Sequence, residues 1–183
     1  MTSIPPRIVV IGLGNILMED EGVGVRVVEL LESRYLLPPH VEVIDGGTTG
    51  TELLEPMRNA DYLIVADAVN TGAPLGSLVR LTGAAIPAFF QCKISNHQLG
   101  LSDLLAVLTV TQQAPKHVTI IGMVPYALNN TLGLSPATLA RLEEMLDMLL
   151  AELQQIGIAP QLRPQALPGF WAEQTRTEVN ACA

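Results

Sequence analysis

The sequence predicts a three-layer α/β/α sandwich on a five-stranded mixed sheet, with the fourth strand antiparallel to the rest. Two observations carry that expectation. Apolar, β-branched runs alternate with stretches of helical period along the chain. The third and fourth of these runs are joined only by residues 67–76, which include Asn70, Gly72, Pro74 and Gly76. That link reads as a turn, whereas a parallel crossover takes about a dozen residues or more. In a sheet of that kind ligands bind past the strand ends, and carboxylates stand past the ends of the first three runs.

The first strand covers residues 7–11 and opens into a glycine-containing turn. A helix follows over residues 21–35, because Val23, Val27, Leu30 and Leu31 recur at i, i+4, i+7 and i+8. Asp20 is its expected N-cap, and Pro38-Pro39 prevents its continuation. The second strand, residues 41–44, runs into Asp45-Gly46-Gly47, and residues 51–57 form a short helix. The third strand, residues 62–66, ends at Asp67; the fourth covers residues 77–81. A loop through Asn96 and His97 leads to a helix over residues 99–110, and the fifth strand is residues 117–122. The last helix has Ser135 as N-cap, Pro136 at N1, a stripe of Leu139, Leu142, Leu146, Leu149, Leu150 and Leu153, and Gly157 at C′. Residues 1–157 therefore read as one domain. Residues 158–183 are rich in Pro and Gln with little periodicity, and are expected to be a poorly structured tail.

Composition narrows the functional classes. At 183 residues with 49% hydrophobic and 15% charged residues, the chain has ample core material and does not read as disordered. A formal net charge of −8 argues against binding a phosphate backbone, so no nucleic-acid partner is expected. No apolar run reaches the roughly 18 to 20 residues of a membrane span. The opening Met-Thr-Ser-Ile-Pro-Pro is not a secretory signal, so a cytoplasmic location is expected. Cys92 and Cys182 make no metal-binding spacing and read as reduced thiols, neither of them a nucleophile. With no heptad pattern in view, the expected state is a monomer.

The chemistry concentrates at the first strand-to-helix junction. Gly12 and Gly14 begin like a dinucleotide-binding turn, but Leu17 stands where the third glycine belongs. Glu19, Asp20 and Glu21 crowd the junction, where they would repel a pyrophosphate and suit a cation. Asp45, Asp67 and His97 would share the same rim. Two carboxylates and an imidazole fit a divalent metal such as nickel, zinc, manganese or iron, with coordination positions left open for water or substrate. Each residue also has a plainer role. Glu21 would favour the helix dipole, and Asp20 fits an N-cap better than a catalyst. Asp45 reads equally as a turn residue, and His97 as a helix-start histidine. Asp67 is harder to dismiss, because it ends a strand buried on both faces. His40 and His117, beside Pro39 and Lys116, are given no role.

The run Gly12-Leu-Gly-Asn-Ile-Leu-Met-Glu-Asp-Glu-Gly-Val-Gly24, then Asp45-Gly-Gly-Thr, Ala66-Asp-Ala and Ser95-Asn-His-Gln-Leu-Gly100, resembles the hydrogenase maturation proteases in order and across residues 7–157. The resemblance implies an endopeptidase that trims a C-terminal extension from the large-subunit precursor of a nickel–iron hydrogenase after nickel insertion. It implies a five-stranded sheet with strand 4 antiparallel. It also implies that Glu21, Asp67 and His97 bind nickel, supplied by the precursor. For the hydrolytic step, Asp20 or Asp45 could serve as base, and the sequence does not choose between them. The Asp-Thr-Gly pairs of a pepsin-like dyad are missing. Two other readings keep the same residues in other roles. One is a non-catalytic nickel-binding maturation chaperone. The other is a Rossmann-type nucleotide enzyme, which Leu17 and the junction acids oppose.

Overall fold

The first strand, β1 (Ile8–Leu13), is buried on both sides, with Ile8 through Ile11 at most 1% exposed. In the computed structural model, which describes residues 4–48, 50–87 and 100–181, it lies inside a five-stranded sheet. The other strands of that sheet are β3 (Val41–Gly47), β4 (Tyr62–Ala68), β5 (Leu78–Thr82) and β6 (His117–Met123). They stand in the order β3-β1-β4-β6-β5. The β1–β3, β1–β4 and β4–β6 pairs are parallel, and β5 runs antiparallel to β6. The short link before β5 thus acts as the turn its composition suggests.

Because side chains alternate along a strand, β1 feeds two cores. On one face, Ile8 and Val10 meet Val23, Val27 and Leu31 of α1 (Val23–Arg34). The same face takes Met145, Leu146, Leu149 and Leu153 of α5 (Leu142–Gln155). On the other face, Val9 and Ile11 meet Met57 of α2 (Leu54–Met57) and Leu101, Leu104 and Leu108 of α3 (Leu101–Val110). Each such buried aliphatic side chain contributes about 1.5–3 kcal/mol of transfer free energy. The result is the expected three-layer sandwich. No helix among the described residues is long and apolar enough to cross a membrane.

Three local expectations change. The helix read from residue 21 begins at Val23, after a 3-10 turn (Glu19–Gly22) that contains Asp20. Asp20 is therefore not an N-cap: Gly22 holds that position, with no side-chain cap. The helix read from Ser135 splits into α4 (Pro136–Leu139) and α5, with Ala140 and Arg141 between them. Ser135 caps α4 as expected, its hydroxyl accepting from Thr138 N–H at 3.2 Å. Gly157, at φ 85°, ends α5, and Ile158 N–H reaches back to Leu153 O at 2.9 Å.

The third change concerns the chain after Gly157, expected to be poorly structured. There β7 (Gln161–Leu162) pairs antiparallel with β2 (Tyr35–Leu36), and α6 (Phe170–Ala181) follows. Its anchor is the C-terminal end of α1, whose last carbonyls have no partner within their own helix. Arg34 O accepts from Arg163 N–H at 2.8 Å, Ser33 O from Leu167 N–H at 2.9 Å, and Glu32 O from Arg163 Nε at 3.0 Å. Capping of this kind leaves no apolar period in the sequence, which is why the segment reads as a tail.

Candidate active site

Two glycines set the junction that carries the acids. Gly14 has φ 133°, and a Cβ there would lie 1.8 Å from Glu21 O, so only glycine lets the turn fold back this tightly. A Cβ on Gly24 would meet Ala66 O at 2.2 Å and Leu13 O at 2.3 Å. The first turn of α1 therefore sits directly on the ends of β1 and β4. This contact brings Glu21, one turn before Gly24, and Asp67, next after Ala66, to one rim. The register extends that rim to β3. Gly12 pairs with Asp45 on one side and with Ala66 on the other. Two strand spacings put those backbones about 10 Å apart.

The candidate residues meet different fates on this rim. Asp20 is 0% exposed. Its carboxylate accepts from Tyr126 N–H at 3.0 Å, Ala127 N–H at 3.0 Å, Ser135 N–H at 2.8 Å and the Ser135 hydroxyl at 2.9 Å. Three of these donors crowd Oδ2 and one reaches Oδ1. Asp20 thus ties the 3-10 turn to the segment before α4, and its full burial keeps solvent water from the carboxylate. Glu19, at φ 48°, adds a second tie, accepting from Asn129 Nδ2 at 2.7 Å.

Asp45 is the opposite case. It is exposed, and among the described residues two donors reach it: Gly47 N–H on Oδ1 at 3.0 Å and Trp171 Nε1–H on Oδ2 at 2.8 Å. Both plain and chemical readings of this residue survive, since it shapes the turn and keeps lone pairs open to solvent. Glu21 and Asp67 are both half-buried. Among the described residues, no hydrogen bond or ion pair engages the Glu21 carboxylate, whereas Asp67 has a partner. His97 lies outside the described residues, as do Cys92 and Cys182. Among the described residues, no group of three His, Cys, Asp or Glu side chains gathers to hold a metal ion. Carboxylates such as those of Glu21 and Asp67 suit hard cations by themselves, and an added imidazole shifts such a set toward borderline metals.

Sequence reasoning missed two participants. One is the Tyr126–Ser135 segment, whose donors satisfy Asp20. The other is Trp171, the chain's single tryptophan, standing beside Phe170 in a segment without helical period. An isolated aromatic pair in an otherwise polar tail was the available signal.

Comparison with known proteins adds independent findings. A family model described as hydrogenase maturation protease matches residues 25–152. The chain is 48% identical over 154 residues to the hydrogenase 2 maturation protease of Escherichia coli (strain K12), covering 83% of this chain and 93% of that one. It is 38% identical over 160 residues to the hydrogenase expression/formation protein HupD of Thiocapsa roseopersicina, covering 86% and 72%. Among solved structures, the hydrogenase maturating endopeptidase HybD from E. coli superposes with a TM-score of 0.81 at 47% identity. That match covers 86% of this chain and 98% of that one.

Proposed function

The chain belongs to the hydrogenase maturation proteases, and from that premise we propose that it removes the C-terminal extension of a nickel–iron hydrogenase large-subunit precursor once nickel is in place. Glu21, Asp67 and His97 read the metal, which arrives as part of the substrate. The observation that supports this reading is the seating of Gly24 on Ala66 O and Leu13 O, which brings the backbone turn bearing Glu21 against the strand ends that Asp67 follows. A precursor with loaded nickel offers open coordination positions to these ligands, and an empty one offers none. Processing is thereby gated by differential affinity for the loaded form.

Held at the rim, the precursor's nickel supplies Lewis acidity toward the scissile carbonyl. Asp45 is the base: it is exposed, oriented by two donors, and retains lone pairs. It takes a proton from the water whose oxygen adds to the carbonyl carbon. The C–N bond then breaks and that proton passes to the leaving amine. Asp20, fully buried and engaged by four donors, holds the turn instead.

The test is to incubate the pure protein with large-subunit precursor, nickel-loaded or nickel-free, and follow the subunit's mass. Loss of a C-terminal peptide from the loaded form alone is expected. Alanine at Glu21, Asp67 or His97 should abolish that loss while the fold persists. Cleavage surviving in all three variants overturns the metal reading. Tight association with loaded precursor and no cleavage by the unmodified protein points to a chaperone instead.

A further inference from the structure

We propose that α6 is part of the active-site rim and that Trp171 is a positioning residue for Asp45; the inference rests on the reading of Asp45 as the base. With Gly47 N–H on one oxygen and the indole N–H on the other, each carboxylate oxygen carries one donor. The turn bond alone would leave the group free to rotate about its broad terminal torsion. The second donor fixes the carboxylate plane, and each oxygen keeps a lone pair for a water.

Trp171 is itself held from several sides. Its backbone N–H donates to Glu29 Oε1 on α1, at 2.5 Å, so a carboxylate meets the N-terminal end of α6. Its ring packs edge-on against Phe170, with centroids 4.8 Å apart. One helical turn on, Thr175 reaches Gly133: a Cβ there would lie 2.8 Å from Thr175 Cγ2. Trp171 and Thr175 also line a small hollow together with Ile16, Glu19 and Gly22, residues of the turn that carries Glu21. Capping the end of α1 requires only the bonds from Arg163 and Leu167. The indole bond to Asp45 lies beyond those and serves the rim. Nor does the indole cover its partner. A groove of about 540 Å³, lined by Val28, Glu32, Asp45, Phe170 and Trp171 among others, stays open beside it.

The experiment is a double-mutant cycle on the full chain, with nickel-loaded precursor as substrate and precursor mass as the readout. W171F keeps an aromatic ring and removes the N–H. Displacing a reacting group by an ångström costs about a hundredfold in rate, and loss of one of two orienting donors should cost about tenfold in kcat, with KM changed less than twofold. D45N should be slower still, and W171F should add nothing in the D45N background. A purely structural role for Trp171 would multiply the two effects, and that result overturns the inference. So does W171F processing at the unmodified rate. Because Trp171 is the single tryptophan, its emission should shift in D45A and stay unchanged in E21A. An unchanged spectrum in D45A likewise overturns the contact. If the unmodified protein cleaves nothing, the proposed function fails first and takes this inference with it, whereas active protein with indifferent W171F sinks the inference alone.

Discussion

Replacing Asp20 by alanine should unsettle the fold rather than the chemistry. The carboxylate is fully buried and receives three backbone N–H groups and one hydroxyl. Removing it leaves those donors without a partner, and a buried donor left unsatisfied costs about 1–3 kcal/mol. The cost differs among them. Ser135 is buried, and its N–H bears the full penalty. Tyr126 and Ala127 are half-buried, so their N–H groups recover part of the loss from water. The Ser135 hydroxyl still caps Thr138. The sum comes to about 3 kcal/mol, within the about 3–5 kcal/mol typical of removing one partner from a buried charged network. Against a total stability of about 5–15 kcal/mol, that is a large fraction. Asn in place of Asp20 keeps the shape but turns one acceptor into an NH2 facing other donors, and should cost about 2 kcal/mol. Urea unfolding reads both changes as shifts in midpoint at constant slope. Processing measured at low temperature, where D20N is folded, should persist. A loss under about 1 kcal/mol for D20A would refute the reasoning. So would a folded D20N with no activity, because it would return the base to Asp20.

Other perturbations test other joints of the structure. G24A drives a Cβ into two backbone oxygens that cannot swing aside; a loss of about 3 kcal/mol in thermal unfolding and of processing is expected, and an unchanged melting temperature would count against the packing. Glu152 is buried, with Arg80 Nε at 2.7 Å, Arg80 NH2 at 3.1 Å and the Thr119 hydroxyl at 2.8 Å. R80A strands that carboxylate while E152A strands only a hydroxyl and a half-exposed guanidinium, so R80A should be the more destabilising in urea; the reverse order would contradict the assignment. The Lys116 ammonium, with help from Arg7 N–H, holds the Asp61 carboxyl below the usual carboxylate range. Its contribution is therefore fully present above about pH 4 and is lost as pH falls through the lowered folded value. The gap in urea midpoint between the unmodified protein and D61N should narrow from pH 5 to pH 2.5, and an equal gap at both would refute the linkage.

What the sequence made legible was whatever local pattern determines. Runs such as Ile8–Leu13 are apolar throughout because both faces are covered, and the shortness of the link before β5 is a statement about reach. Acids at strand ends mark a rim whatever the family, and that rule picked Asp45 and Asp67. It could not say what each acid does there. Asp20 looks like an N-cap because capping is judged within three residues, yet its donors lie 106, 107 and 115 residues further along. The break before α5 hides for a similar reason. Ala140 and Arg141 are good helix formers, but the Arg141 guanidinium is drawn to Gly76 O and to Glu144. The tail is the extreme case, with Trp171 meeting Asp45 across 126 residues. Asp20 and Asp45 are chemically identical side chains near the same rim. What separates them, among the described residues, is the number of donors aimed at each, four against two, and whether water reaches them. Those are properties of the folded chain, so a carboxylate's role follows from its donors rather than from its place in a motif. The same criterion extends to Glu21: among the described residues its carboxylate has no donor, which is the condition that the proposed contact with the precursor's nickel requires.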